Sequence, residues 1–488
     1  MDKGAIATYG CGRVQESGGW MSLAPLRGSQ AIDPAVTDMV LAAITDGSPK
    51  GIAAAVNRLI RADRLVVGDR LPTVRDLAAQ LGVSPATVSE AWQALSAVGA
   101  IESRGRAGTY VRSSAEPSRP IRYLSIGLVA DGSGVDLSTS MPDAALLPPL
   151  DKAFQSLHSE SLRWTTSYLD DPVLPELGDR LRSSWPYASE RIVTVDGALD
   201  GLSRVIDEVV GLGDRVAVED PGFPALLDLL EARGAELIPV ELDDQGMVPE
   251  SLESALTGDP VAVFMHSRAQ NPTGASLTHE RGQHLTHILA TSECVVVEAD
   301  HSGLIARAED LSLGSHMPDR VVHIRSYSKS HGPDLRIAGL SGPPHIVDPL
   351  MARRMLGPGW TSRILQSLLV ALLDDSDSNE AVSRARNEYS RRTQRLTERL
   401  EAKGVHVHPG DGVNLWVGVK DERATLLMLA AEGIRVAPGS PFSIRPTLQG
   451  HIRVTAAQLP GNDSDQAAIA DRIAAATTAE SSPRGGVS

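Results

Sequence analysis

The segment Ser326-Tyr327-Ser328-Lys329-Ser330-His331-Gly332-Pro333-Asp334-Leu335-Arg336-Ile337-Ala338-Gly339 sets a primary amine among hydroxyls, with an arginine seven positions later. An amine can form a Schiff base with an aldehyde, and hydroxyls and a guanidinium are donors for a phosphate dianion. Alone, such a stretch reads equally well as a charged loop. Two further groups bear on the choice. Asn271-Pro272-Thr273-Gly274 follows one apolar run and Asp300 ends another, and groups that converge at the carboxyl ends of strands lie where α/β sheets bind ligands.

The elements that must position these groups are legible as short apolar runs: residues 215–218, 261–264, 294–297 and 321–324. They alternate with longer helical stretches, the pattern of buried parallel strands joined by helices. After the polar cluster Asp374-Asp375-Ser376-Asp377-Ser378, a charged helical stretch from Asn379 to Lys403 separates this α/β part from a smaller C-terminal lobe. Upstream, residues 113–135 carry Pro117, Pro120, Gly127, Gly132 and Gly134 among polar residues, which is linker composition. The expected division is therefore an extension over 1–33, a small domain over 34–112, the linker, a large domain over 136–478 and a Ser/Gly-rich tail over 479–488, with both ends expected to be disordered.

In the small domain, Leu71 to Val88 predicts a short helix, a turn at Gly82 and a second helix, with Thr73 and Ser84 as N-caps. Val88, Ala91, Trp92 and Leu95 fall on one face of the second helix, which leaves Pro85, Ala86, Thr87 and Ser89 near its exposed N-terminal end. That end is where a recognition helix meets base edges. Ser103-Arg104-Gly105-Arg106-Ala107-Gly108 then suits a hairpin wing. A helical adaptor with incidental arginines is the competing reading.

At 488 residues the chain exceeds what one core usually serves, and its 42% hydrophobic and 22% charged residues are ordinary for a globular protein. Cys11 and Cys294 have no partners at metal-ligand spacing, which predicts neither a disulfide framework nor a metal site. No apolar run is long enough for a membrane helix and no signal core opens the chain, so a soluble cytoplasmic protein is expected. A net charge of -15 argues at first against nucleic acid. The charge is unevenly spread: Lys50 to Arg112 holds nine basic and five acidic residues, so it is +4 and the remainder is -19.

Over Gly51 to Arg112 the sequence resembles the GntR family, through its Leu-Pro-x-x-Arg-x-Leu-Ala segment, its Val-Ser-x-x-Thr-Val helix and its Gly-x-x-Gly-Thr-Tyr-Val wing. The resemblance implies a winged helix-turn-helix in which Arg75, Ser84, Thr87, Arg104 and Arg106 meet double-stranded DNA. Pro85 stands where family members often carry Arg.

From about Asp136 to Arg472 the lysine, asparagine and aspartate motifs resemble fold type I enzymes dependent on pyridoxal 5'-phosphate (PLP), the aspartate aminotransferase family. That likeness implies a large α/β domain in which Lys329 forms the internal aldimine and Ser326, Ser328 and Arg336 bind phosphate together with the backbone of Gly197 and Ala198. By the same resemblance Asn271 bonds the pyridine 3'-oxygen, Phe223 stacks on the ring and Asp300 pairs with the ring nitrogen. Relatives usually have Glu-Asp-Asp-Tyr where this chain has Glu298-Ala299-Asp300-His301, so either Ala299 or Asp300 occupies the nitrogen position, and His301 stands in for a tyrosine that donates to the 3'-oxygen. Arg453 looks like the arginine that clamps a substrate or effector carboxylate, and Tyr168 like a tyrosine that reaches the phosphate of a neighbouring subunit. Val173 replaces a usual glycine in the loop on the substrate side.

A GntR-like reader placed ahead of an aminotransferase-like domain resembles the MocR family of transcriptional regulators. The likeness implies a homodimer that binds an operator and senses an amino acid, an amine or PLP itself through the aldimine on Lys329. A working aminotransferase with an accessory helix-turn-helix is the alternative, since every catalytic residue type is present; PLP salvage or a purely structural use of the fold is a third.

Overall fold

The computed structural model describes residues 34–62, 64–97, 100–103, 108–111, 120–126, 134–157, 167–408, 410–445 and 449–479. Arg104 and Arg106, the extension over 1–33, residues 112–119 and 127–133 of the linker, and the tail from 480 lie outside them. The chain divides into two units, Met1–Ser114 and Ala115–Ser488.

In the first unit α1 (Pro34–Ala43), α2 (Pro49–Arg61), α3 (Val74–Leu81) and α4 (Pro85–Ala97) precede the antiparallel pair β1 (Ile101–Ser103) and β2 (Thr109–Val111). α3 starts where Thr73, in extended backbone, accepts the N–H of Asp76 at 3.2 Å, and it stops at Gly82 in the left-handed region at φ 67°. α4 starts where Ser84 Oγ accepts the N–H of Thr87 at 3.1 Å. The predicted stripe of Val88, Ala91, Trp92 and Leu95 is buried, packed in one core with Val40, Ile52, Val56, Leu71 and Leu77. Register fixes the strand pair: Ile101 faces Val111 and Ser103 faces Thr109.

The second unit opens with α5 (Ile121–Ser125), β3 (Val135–Leu137), α6 (Asp151–Ser156) and α7 (Pro175–Ser184). Then come β4 (Arg191–Val195), α8 (Ala198–Val209), β5 (Arg215–Asp220), α9 (Pro224–Arg233), β6 (Glu236–Asp243), β7 (Gly246–Met247), α10 (Pro249–Leu256) and β8 (Ala262–Met265). They are followed by α11 (His279–Leu289), β9 (Val295–Asp300), β10 (Val321–Ser326), α12 (Ser328–His331), β11 (Ala338–Gly342), α13 (Pro344–Arg354) and α14 (Arg363–Asp374). The main sheet has eight strands in the order β4-β11-β10-β9-β8-β5-β6-β7, with β10, β9, β8, β5 and β6 parallel. Its central strands are buried on both faces, which is why they read as unbroken apolar runs rather than as alternation.

The lobe that follows holds α15 (Ser376–Glu401), β12 (Val407–His408), β13 (Asn414–Val419), α16 (Glu422–Ala431), β14 (Ile434–Pro438), β15 (Gly450–Thr455) and α17 (Asp463–Thr477). α15 begins inside the polar cluster, because Asp375 caps it by accepting the N–H of Ser378 at 2.9 Å. The lobe's sheet runs β12-β13-β15-β14-β3, so the strand that opens the unit is paired with one near its end. Among the described residues no helix is long and apolar enough to cross a membrane.

Candidate functional site

The parallel strands β5, β8, β9 and β10 end on the same side of the sheet, and Phe223, Asn271, His301 and Lys329 all follow those ends. Lys329 sits on α12; its Nζ donates to the backbone oxygen of Ser140 at 2.8 Å and lies 3.4 Å from the Ser140 hydroxyl. Ser140, at φ 56°, is itself tied to the lobe, its N–H donating to Thr455 Oγ1 and its hydroxyl accepting from Asn414 Nδ2, both at 2.9 Å. Burial, with the charge of Arg453, pulls the lysine down to about 8, which leaves a sizeable share of neutral, nucleophilic amine near neutral pH.

Arg453, on β15, is buried and crosses between the lobes. Its Nη1 donates to Asn271 Oδ1 at 3.1 Å, its Nη2 donates to the Ser138 carbonyl, and its guanidinium stands 5.0 Å over the Phe442 ring. Among the described residues no carboxylate pairs with it, its Nε has no partner, and burial lowers its pKa to about 10. A desolvated cation held by neutral oxygens alone is poised for an anion.

Phe223 and His301 pack at 4.8 Å between ring centroids, and His301 lies 5.1 Å from His266. Glu219 at the end of β5 fixes His266: Oε2 is 2.6 Å from Nδ1 and Oε1 accepts the backbone N–H at 2.8 Å. Burial, then the neighbouring His266 and Lys329, holds His301 well below the ordinary histidine range, so its imidazole is neutral. The Nε2 atoms of His266 and His301 are buried and unpaired among the described residues, and buried polar atoms of that kind call for a partner.

Asp300 meets donors from the protein itself. It shares a strand face with Glu298, and Arg268 donates to its Oδ2 through Nε at 3.1 Å and Nη2 at 2.7 Å. The Gly303 N–H donates to Oδ1 at 2.7 Å and Arg325 Nε stands 4.0 Å away. These arginines outweigh desolvation and hold the carboxylate near about 2. Both oxygens are thus engaged by protein donors. Ala299, on the opposite strand face, belongs to the apolar core and offers no polar atom. Asp310 and His323 lie close to Asp300, where Arg268 and Arg325 already supply the compensating positive charge.

A second cluster forms at the start of α8. Gly197 caps that helix at φ 94° with no side-chain cap, and a Cβ there would meet Arg336 Cζ at 3.3 Å. Arg336, exposed and at φ 50°, donates from Nη2 to the Asp196 carbonyl at 3.3 Å. Ser326 Oγ accepts the Ser328 N–H at 3.2 Å, one turn of chain before Lys329. Free N–H groups at a helix start beside a guanidinium form an anion site.

Tyr168 joins neither cluster: it is 82% exposed and tilts against Trp360 at 5.9 Å. In the first unit Arg75, Ser84, Pro85 and Ala86 are exposed and Thr87 is half-buried, its hydroxyl 2.8 Å from that of Ser84. Sequence reasoning missed Ser140, Ser138, His266, Glu219 and Arg268. His266 and Arg268 lie just ahead of Asn271, a signal that was available; nothing local marked the two serines.

Residues 49–111 match bacterial regulatory proteins of the gntR family, and residues 133–470 match aminotransferase class I and II. The chain is 34% identical to the vitamin B6 salvage pathway transcriptional repressor PtsJ of Salmonella typhimurium, over 84% of this chain and 94% of that one. It is 29% identical to the transcriptional regulator TauR of Rhodobacter capsulatus, over 78% and 87%. The fold is similar to kynurenine aminotransferase of Pyrococcus horikoshii, with TM-score 0.65 and 20% identity over 74% of this chain and 94% of that one. Aspartate aminotransferase of Thermus thermophilus with maleate gives 0.63 and 20% over 70% and 92%.

Fold and site define a helix-turn-helix reader joined to a fold type I aminotransferase domain, the latter a PLP-dependent family. The chain belongs to the MocR-type transcriptional regulators, DNA-binding proteins in which a GntR module precedes an aminotransferase class I and II domain.

Proposed function

We propose that the chain is a one-component regulator that holds PLP at Lys329 and reads a small amino compound, or PLP itself, through the same site. The observation that carries this reading is a pair of cations that meet only neutral oxygens among the described residues, half-buried Lys329 at Ser140 and buried Arg453 at Asn271 and Ser138. The residues fit the cofactor: an amine with a depressed pKa, the Gly197 cradle beside Arg336, Phe223 as a ring platform and two orphaned imidazole nitrogens. When bound, PLP supplies an aldehyde that condenses with amines and a ring that withdraws electrons. In this reading Lys329 provides the amine, Gly197, Ala198, Ser326, Ser328 and Arg336 hold the phosphate, and Asn271 and His301 donate to the 3'-oxygen. Arg453 orients a carboxylate with two parallel donors. Asp300, engaged by Arg268, and apolar Ala299 leave the ring nitrogen no free carboxylate, which favours binding and reporting over turnover. Tyr168 completes the phosphate site of a second copy in a homodimer, and Arg75, Ser84, Thr87, Arg104 and Arg106 contact operator DNA.

The test is the visible absorbance of purified protein given PLP, with Lys329→Ala as control, followed by a panel of amino acids and amines and by binding to its own upstream DNA. A Lys329-dependent band that shifts with one compound, without keto-acid release, and changes DNA affinity supports the reading. Stoichiometric keto-acid release points to the aminotransferase instead.

A further inference from the structure

The described part of the linker reaches the site. Asp228, on α9, caps α5 by accepting the N–H of Arg122 at 3.2 Å and that of Tyr123 at 2.9 Å. The Arg122 guanidinium then spans two parts of the large unit. Nη2 donates to Glu231 Oε1 on α9 at 2.7 Å, and Nη1 donates to the carbonyls of Ser443 at 2.8 Å and Pro441 at 3.3 Å in the C-terminal lobe. The same lobe segment is tied to the end of β5, Gly222 N–H donating to the Phe442 carbonyl at 2.8 Å and Ile444 N–H to Asp220 Oδ1 at 3.0 Å. So anchored, Tyr123 sets its ring edge-on to Phe223 at 6.2 Å, while Arg453 stands 5.0 Å over the ring of Phe442, whose neighbours Pro441 and Ser443 are held by Arg122. It is 45% exposed, which puts it at the rim of the site rather than in its floor.

We propose that Arg122 and Tyr123 belong to the effector site: Tyr123 is its outer wall and donates its hydroxyl to the carboxylate held by Arg453, so that a small carboxylate or α-amino acid tightens the docking of the linker. The inference rests on reading Arg453 as the carboxylate clamp. Tyr123 packs on Phe223 and Arg453 on Phe442, and Arg122 ties the two sides together through Glu231 and the carbonyls of Pro441 and Ser443. A ligand that touches Tyr123 favours the docked linker by its differential affinity, and docking strengthens the ligand by the same factor. The segment so held is the one that continues back to the DNA-reading unit.

The experiment uses the full-length protein with PLP, limited chymotrypsin digestion after Tyr123, and calorimetric titration with L-alanine and with propionate, which lacks the amine. Saturating probe is expected to slow cleavage several-fold. Tyr123→Phe should weaken binding about tenfold, ~1.4 kcal/mol, and remove the protection; Arg122→Ala should raise cleavage with or without probe. Circular dichroism and the Lys329-dependent band check that each variant is folded. If Tyr123→Phe keeps both affinity and protection while Arg453→Met loses the probe, the linker proposal alone is overturned. If Arg453→Met binds as the parent does, or neither probe binds saturably, the clamp reading falls and this inference with it.

Discussion

Nη1 of Arg453 donates to Oδ1 of Asn271 across 3.1 Å, joining β15 of the C-terminal lobe to the loop after β8 of the main sheet. The bond leaves a buried guanidinium with neutral partners only, so its charge is a cost to the fold and an asset to the site. Arg453→Met is therefore expected to unfold at equal or higher denaturant concentration than the parent, since an apolar side chain of similar length in place of an uncompensated buried ion is neutral or stabilising. The same variant should lose carboxylate binding by about a hundredfold, the cost of removing a charge-assisted bidentate contact of ~2.7 kcal/mol. Denaturant titration and calorimetry read the two effects separately.

Lys329, lowered to about 8 by burial and by Arg453, sets a pH profile. The neutral amine attacks the aldehyde, so the rate at which the visible band appears after adding PLP should rise with pH and level off above about 8. Lys329→Ala should give no band at any pH. The stability sign follows from the same shift: the folded state releases its proton near 8 and the unfolded chain near 10.5, so stability without cofactor should rise between those values. A rate that levels off only near the ordinary lysine value would contradict the burial argument.

Asp300 is held near about 2 by Arg268 and Arg325. Its depressed pKa stabilises the fold above the ordinary value of 3.8, and that contribution fades as pH drops from there towards about 2. Asp300→Asn should cost about 3 kcal/mol in denaturant unfolding at neutral pH, because buried Arg268 would lose the carboxylate it donates to twice and keep only Asp310 at 3.4 Å. A variant of unchanged stability that instead shifts the absorbance of the PLP-loaded protein would reassign Asp300 to the cofactor.

Arg75 and Thr87 stand at the exposed ends of α3 and α4. Arg75→Ala is expected to weaken binding evenly across DNA sequences and to reduce the salt slope by about 1, as for the loss of one phosphate contact. Thr87→Ala should instead relax discrimination at one base position, at a cost of about 1–3 kcal/mol. Electrophoretic mobility shifts at several salt concentrations, on the upstream region and on scrambled DNA, distinguish the two.

Local rules carried much of this protein. Hydroxyl caps at Thr73 and Ser84 and the apolar stripe from Val88 to Leu95 specify the two helices of the reader, because a cap needs only three residues and a stripe only two turns. Apolar runs buried on both faces revealed four strands of the main sheet, and the residues just past them converge because parallel strands end together. What only the tertiary structure decided are pairings across the lobes. Alternation along β9 turns Asp300 toward Arg268 and Ala299 toward the apolar core, two directions that the adjacent letters do not reveal. Ser138 and Ser140 reach Arg453 and Lys329 because β3 crosses into the lobe's sheet, and Tyr123 reaches Phe223 because Asp228 caps a helix far from it in sequence. Such contacts depend on strand register and on which segments share a sheet, and neither is set by any local run of residues.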